Sequence, residues 1–548
     1  MSSSTYIKVT ALIAVLGMVG CDKIPSLSQV LEGAGSAEPV VETIQINDPL
    51  YIDQWHLKNT GQEGGTVGED INVESVWNSY LGTGVRIAVV DDGLEIAHED
   101  LAANVVANAS YDYLELDNDP TGGSHGTAVG GVAAAVGNNN MGVRGVAPSA
   151  ELVGYNFLQY GTSANEQDAM TRGLSTNSIY SNSWGAADGT GKMYASSATW
   201  RSAVDEGVAT GRAGKGAIYT WAAGNGGTIE DFGGGILFPF DNSNNDGQAN
   251  YYAVLAIAAL ADDGSRASYS EEGANLMVAA PAGEFCDTHT TTTVDRSGAN
   301  GYNTGGDFVG NGKSDYADAN YTKCFNGTSS ATPVATGAIA LMLEANPNLS
   351  WRDVRIILAR SARKNDATDT DWTTNGAGLN VNHKYGYGAL DTAAAVTMAK
   401  GWATVGGSNS MVTRSSTSSP AALIPDNGAG DIFQYGTPLS NTITLSNSGI
   451  SNIEFVEITV DSDHTYSSDL EIEITSPNGT ISKLAKTRRC NDGTSFVNCG
   501  AQYSGGWRFG SARHIDESAD GTWTLTVTDG WYAASGYLNS WQLKIYGH

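Results

Sequence analysis

Two kinds of hydrophobic pattern divide the chain. From about residue 48 to about 400, continuous apolar runs such as Val85-Arg86-Ile87-Ala88-Val89-Val90 and Gly216 to Trp221 alternate with helix-like stretches of small residues such as Ala128 to Val136. Runs of that kind suit strands covered on both faces, and their alternation with helices predicts an α/β domain with a doubly wound parallel sheet. Beyond residue 430 the period becomes two, in Thr442-Ile443-Thr444-Leu445, Val456-Glu457-Ile458-Thr459-Val460, Leu470-Glu471-Ile472-Glu473-Ile474 and Trp523-Thr524-Leu525-Thr526-Val527. One apolar and one polar face per strand predicts an all-β antiparallel sandwich. Residues 401–430, rich in Gly, Ser, Thr, Asn and Pro, read as a linker between domains at 48–400 and 431–548.

One apolar run is helical and apolar nearly all round. Val334 to Leu343 follows the loop Asn326-Gly327-Thr328-Ser329-Ser330-Ala331-Thr332-Pro333, and Asn346-Pro347 stops it. Pro333 is expected in the first turn, where a missing N–H is tolerated. Ser329 then sits at or near a helix N-terminus, where backbone N–H groups stabilise negative charge. Taken alone it could be an ordinary N-cap. A reactive serine needs a base and a group that orients the base, and three other segments offer suitable residues. Asp91 ends the strand-like run at Val90. His125 opens the small-residue helix. Asn225 follows the run to Trp221 in a glycine loop and offers an amide donor.

The chain order Asp91, His125, Ser329 is that of subtilisin. Val89-Val90-Asp91-Asp92-Gly93, His125-Gly126-Thr127-Ala128-Val129-Gly130-Gly131 and Gly327-Thr328-Ser329-Ser330-Ala331-Thr332-Pro333 resemble the three signature blocks of subtilases. Asp48-Pro49-Leu50-Tyr51-Ile52-Asp53-Gln54-Trp55-His56-Leu57, Ile179-Tyr180-Ser181-Asn182-Ser183-Trp184-Gly185 and Leu343-Glu344-Ala345-Asn346-Pro347-Asn348-Leu349 are similar to the kexin and furin-like branch. The segments His464 to Leu470, Ser476 to Thr480 and Gly521 to Leu525 resemble the P (Homo B-like) domain of that branch. A carbohydrate-binding module is the alternative for this domain.

The resemblance implies a serine endopeptidase. His125 would be the base, Asp91 its orienting group, and Asn225 with the Ser329 N–H the oxyanion donors. Ser183, Trp184 and Gly185 would form a strand-like edge for the substrate backbone. Asp188 and Asp246 would line a pocket for Arg or Lys before the scissile bond, with Asp92 also facing substrate. Gly122-Gly123-Ser124 stands before His125 where convertases carry acidic residues, so a second basic residue is expected to matter less. Calcium is implied at two places: Asp48, Asp100 and Asn138 or Asn139 with carbonyls of Val136, Met141 and Val143, and a second set of Asp188, Asp231 and Glu271. A broad-specificity subtilase and a non-catalytic binding protein are the other readings.

Export fits the rest of the chain. Lys8 and the apolar Val9 to Val19, ending at Met18-Val19-Gly20-Cys21, read as a signal segment (1–21) with Cys21 a candidate for lipidation, or as a plain secretory signal. The mature protein is then secreted or held by a lipid anchor. Residues 22–47 form a tether with no room for the propeptide that subtilases carry, so a separate folding helper or the second domain is expected to assist folding. Apart from Cys21 there are four cysteines, and Cys286–Cys324 with Cys490–Cys499 is the pairing that keeps each bridge inside one domain. The net charge, 29 − 59 = −30, argues against nucleic acid and suits peptide or protein substrates with basic residues.

Overall fold

The apolar runs of the first half form six parallel strands: β1 (Arg86–Val90), β2 (Glu151–Tyr155), β3 (Ile179–Asn182), β4 (Ile218–Ala222), β5 (Val254–Leu260) and β6 (Leu276–Pro281). They hydrogen-bond in the order β2-β1-β3-β4-β5-β6. This computed structural model describes residues 45–227, 229–231, 237–239, 241–286, 290–305, 308–310, 313–426, 435–491, 496–532 and 534–548. Helices α1 (Ser124–Ala134), α2 (Ser163–Thr171), α3 (Ala198–Thr210), α4 (Thr328–Ala345), α5 (Trp351–Ser361) and α6 (Thr392–Lys400) accompany the sheet. From β1 the chain moves outward to β2, then returns to the other side of β1 for β3. The carboxyl ends of the strands at such a reversal are where sites assemble. Asp91 follows β1, Ser183 follows β3 and Ala223 to Asn225 follow β4.

Helix α4 is buried from Ser330 to Leu343 because α1, α6 and strands β3 to β6 all pack on it. The helix begins at Thr328, so Pro333 is its sixth residue and not part of the first turn as expected. The missing Pro333 N–H leaves the Ser329 carbonyl without its helical partner. The Ser183 hydroxyl donates to that oxygen at 3.0 Å. The departure from expectation therefore ties the serine of α4 to the end of β3.

The period-two segments form two antiparallel sheets. β7 (Val412–Ser418), β8 (Ala422–Ile424), β10 (Ile453–Ser462), β13 (Trp507–Ser511) and β15 (Gly536–Gly547) make one sheet, in the order β7-β15-β10-β13 with β8 also on β15. β9 (Leu439–Leu445), β11 (Leu470–Thr475), β12 (Ile481–Ala485) and β14 (Gly521–Asp529) make the other, in the order β9-β14-β11-β12. Residues 401–430, expected to be a linker, contain β7 and β8. β7 pairs with β15 over seven positions from Val412 to Ser418. A ladder needs only backbone groups, so a Ser- and Thr-rich edge strand carries no apolar alternation to read. β11 and β14 alternate buried and half-buried residues, whereas β10 is buried on both faces along most of its length. Val456, Ile458 and Val460 enter the sandwich core, and Phe455 joins the core of the first domain, as do Ala512 and Tyr546.

Cys286 is bonded to Cys324 and Cys490 to Cys499. The expected signal segment with Cys21, and the expected tether up to residue 44, lie outside the described residues. Among the described residues no helix is long and apolar enough to cross a membrane.

Candidate active site

The loop after β1 delivers a fully buried Asp91, whose Oδ1 lies 2.8 Å from His125 Nδ1. His125 is the second residue of α1, and its ring packs edge-on against Phe325. Asp92 accepts from the N–H groups of His125 and Gly126, at 3.3 and 2.8 Å, and so caps the first turn of α1. Burial favours the neutral imidazole, but the charge and hydrogen bond of Asp91, with the charge of Asp92, outweigh it and raise the His125 pKa. A histidine tethered through Nδ1 to a buried carboxylate is restricted to one tautomer and keeps Nε2 for proton transfer.

Ser329 occupies the second position of α4; the Thr328 N–H before it goes to Asn225 and the Ser330 N–H after it to the Gly327 carbonyl at 2.9 Å. Its hydroxyl donates to the Ser183 carbonyl at 3.0 Å. Among the described residues no hydrogen bond joins Ser329 to His125 while the hydroxyl is engaged by Ser183. Asn225 is placed by Thr328, whose N–H and hydroxyl donate to Asn225 Oδ1 at 2.8 and 2.9 Å. With its oxygen so engaged, the Asn225 side chain acts as a donor through its NH2 group, which is shared with the Asp188 carboxylate. Gly327, at φ +82°, turns the chain into the helix, and a Cβ there would lie 3.3 Å from Asn225 Oδ1.

A cavity of about 200 Å³ opens at Ser329. Asp188, Asp241, Asp246 and Glu271 line it, with the Ser183-Trp184-Gly185 edge on one side. Asp188 accepts from the Asn225 N–H at 2.8 Å. Asp246 is 7% exposed and accepts from the N–H groups of Ala186, Gln248 and Ala249. Burial raises the pKa of Asp188 and Asp246, pushes Asp241 up to about 6, and raises Glu271 well above its ordinary value, where the charges of Asp241 and Asp188 add to the shift. Four acids in so small a volume repel one another and favour a cation. Lys192 also lines the cavity, and among the described residues no ion pair joins it to these acids. β3 ends at Asn182, so Ser183 to Gly185 form an edge without strand partners among the described residues. The Trp184 ring is fixed by its N–H bond to the Val90 carbonyl and by contact with Trp221.

Sequence reasoning missed Asp241. It lies five residues before Asp246 in the polar turn Asp241-Asn242-Ser243-Asn244-Asn245-Asp246, and clustering of turn-forming side chains was the available signal. Asp231, expected beside Asp188 and Glu271, has a side chain outside the described residues, and Asp241 is the third carboxylate that the structure brings to them.

The other expected cation site is assembled near the start of the described chain. Asp48 and Asp100 are buried, and Asp100 is pushed up to about 7 by burial, with the charge of Asp48 adding to it. Asn139 meets both: its Nδ2 donates to Asp100 at 2.6 Å and its backbone N–H to Asp48 at 3.2 Å. Asn138 instead accepts from Arg144 at 3.1 Å. Val143 donates its N–H to Asp100, and Val136 and Met141 lie on the same loop. Two buried carboxylates suit a hard cation that seeks oxygen, but Asn139 turns N–H groups toward both, its Oδ1 accepting from the Met141 N–H at 2.9 Å, and Arg144 already faces Asp48 at 3.4 Å. Among the described residues no cluster of three or more His, Cys, Asp or Glu is arranged to hold a metal, so any such site must include carbonyl or amide oxygens.

Residues 82–388 match the subtilase family, and residues 453–545 match the proprotein convertase P-domain. Neuroendocrine convertase 2 of Mus musculus is 34% identical over 517 residues, spanning 92% of this chain and 75% of that protein. The PC3-like endoprotease variant B of Hydra vulgaris is 32% identical over 495 residues, covering 88% of this chain and 63% of its own. The crystal structure of an Aeromonas sobria serine protease in complex with a chaperone superimposes with a TM-score of 0.79 at 30% identity, over 92% of this chain and 95% of that one.

Proposed function

The chain belongs to the subtilase family as a convertase-type serine endopeptidase with a P-domain, and from that premise we propose that it cleaves peptides after Arg or Lys. The observation that carries this reading is the cavity with Ser329 at its mouth and Asp188, Asp241, Asp246 and Glu271 on its walls. A guanidinium or ammonium entering it would lose water and gain carboxylate partners, and a neutral side chain would leave those acids unpaired. Asp188 and Asp246 face the entering cation, and Asp92 is a further acid beside the His125 end of the site. With glycines at 122 and 123, the demand for a second basic residue is weak.

The chemistry follows from the placement of three groups. His125 Nε2 takes the Ser329 proton as the oxygen attacks the carbonyl, and returns it to the leaving amine. Asp91 stabilises the imidazolium that forms. The Asn225 NH2 and the Ser329 N–H receive the oxyanion. The Ser183 carbonyl holds the resting hydroxyl, and substrate binding along the Ser183-Trp184-Gly185 edge would displace that contact.

Calcium suits the oxygen donors at two places, as a structural ion that offsets carboxylate repulsion. Asp48, Asp100 and Asn139, with carbonyls of Val136, Met141 and Val143, would hold one ion. Asp188 and Glu271, completed by backbone oxygens, would hold another beneath the specificity pocket. A separate folding helper is a further part of this reading, motivated by the chaperone bound to the Aeromonas sobria protease. Export, with Cys21 lipidated or the chain secreted, belongs to it as well. A peptide library varied at the residue before the cut, assayed with and without a calcium chelator, tests the whole. Arg and Lys should lead, and chelation should lower both activity and melting temperature. Faster cleavage after Phe or Leu would remove the basic-pocket reading and leave a broad-specificity subtilase.

A further inference from the structure

The carboxylate pocket is held from behind by the second domain. Asp241 is fixed by two consecutive backbone N–H groups, Thr190 to Oδ2 at 3.2 Å and Gly191 to Oδ1 at 2.6 Å. The carbonyls of the same two residues face the other way. Thr190 O accepts from the Asn491 N–H at 2.8 Å, and Gly191 O accepts from Arg488 Nε at 2.7 Å. Arg488 is buried, and its Nη2 reaches Gln502 at 3.2 Å. The segment bearing Arg488 and Asn491 is rooted in its own domain, where Arg488 N donates to Ser468 O and Cys499 N to Ser468 Oγ. The Cys490–Cys499 disulfide ties its two sides together. Gly191 has φ +63°, and a Cβ there would lie 2.0 Å from the Arg489 carbonyl, so the two domains meet with no space for a side chain. Two residues on, Met193 packs against the sandwich core.

We propose that the Arg488–Asn491 arm, braced by Cys490–Cys499, is a positioning element for the specificity pocket, setting Asp241 through the Thr190-Gly191 peptide. The arm touches neither Ser329 nor His125, so it governs recognition of the basic side chain and not the proton transfers. The inference rests on the proposed basic pocket and adds the part of the molecule that keeps its carboxylates in place.

The test uses the full chain with Arg488→Ala, Arg488→Lys and the double variant Cys490→Ser/Cys499→Ser. KM and kcat are measured on peptides with Arg or norleucine before the cut, alongside fluorophosphonate labelling of Ser329. Arg488→Ala should raise KM for the Arg peptide about tenfold or more with kcat within about threefold, at an unchanged labelling rate. Arg488→Lys, which can still donate to Gly191 O, should recover part of that loss, and the cysteine variant should move KM in the same direction. KM within about twofold of the unsubstituted chain in all three variants overturns the proposal. So does a parallel fall of labelling and KM discrimination in every variant, since that is general damage. If Arg488→Ala does not fold, the lysine and cysteine variants decide by the same criteria. A parent enzyme that prefers norleucine refutes the basic pocket itself, a result read before any variant is made.

Discussion

His125 stands in the field of two carboxylates, one for orientation and one behind its helix cap. Because the imidazole acts as a base only when neutral, activity should rise with pH through its titration, and Asp91 and Asp92 set that titration above the ordinary histidine value. Asp92→Asn keeps an oxygen for the Gly126 N–H and removes one negative charge. The acid limb of the kcat/KM profile should therefore move to lower pH, and a profile that stays in place or moves up would show that Asp92 does not act on His125 electrostatically. At Asn225 the loss is of a different kind. Asn225→Ala removes the oxyanion donor and should cut kcat by about a hundredfold to a thousandfold, with little change in KM. Steady-state kinetics on one peptide separates the two outcomes, because loss of binding would appear in KM.

At the scale of elements, close approach decides the geometry. Helix α1 runs so near the end of β1 that a Cβ on Gly126 would lie 2.0 Å from the Gly93 carbonyl and 2.8 Å from Asp91 Cβ. Gly126→Ala should push the helix and Asp91 apart, destabilising by about 1–3 kcal/mol and lowering turnover much more than peptide affinity; melting and kinetics on the same preparation check both. The candidate catalytic residues were legible in the sequence because each sits in a local motif at an element boundary: Asp91 after a strand, His125 and Ser329 at helix starts, Asn225 in a glycine loop. Period two gave β11 and β14 for the same reason, since one face is buried, and β10 although most of it is buried on both faces. What the sequence did not reveal depends on contacts between distant segments. Asp241 becomes a pocket residue only because Thr190 and Gly191 reach it. Pro333 is tolerated in the second turn only because Ser183 supplies a donor to the carbonyl that the proline leaves unpaired. β7 pairs through its backbone while its polar side chains look like a linker.

For the whole molecule, the question is how firmly two cores are joined. Arg352 in α5 meets Glu454 of β10 through a paired contact, its Nε at 2.8 Å from Oε2 and Nη2 at 2.5 Å from Oε1, with both side chains fully buried. The Arg352 Nη1 also donates to the carbonyls of Val405, Gly406 and Gly407, where the first domain gives way to the second. The C-terminal residue His548 adds a contact from Nδ1 to Glu454 Oε1 at 2.8 Å. A buried pair of this kind adds little beyond a well-packed apolar one, but breaking it from one side strands a charge at a cost of about 3–5 kcal/mol. Arg352→Met should therefore lower the melting temperature sharply, and His548, as a remaining partner of Glu454, should keep the loss toward the low end of that range. Glu454→Leu on top of Arg352→Met removes the stranded charge and should recover much of the loss. A double variant as unstable as the single one would mean that the arginine's carbonyl contacts at 405–407, and not its charge pairing, hold the domains together.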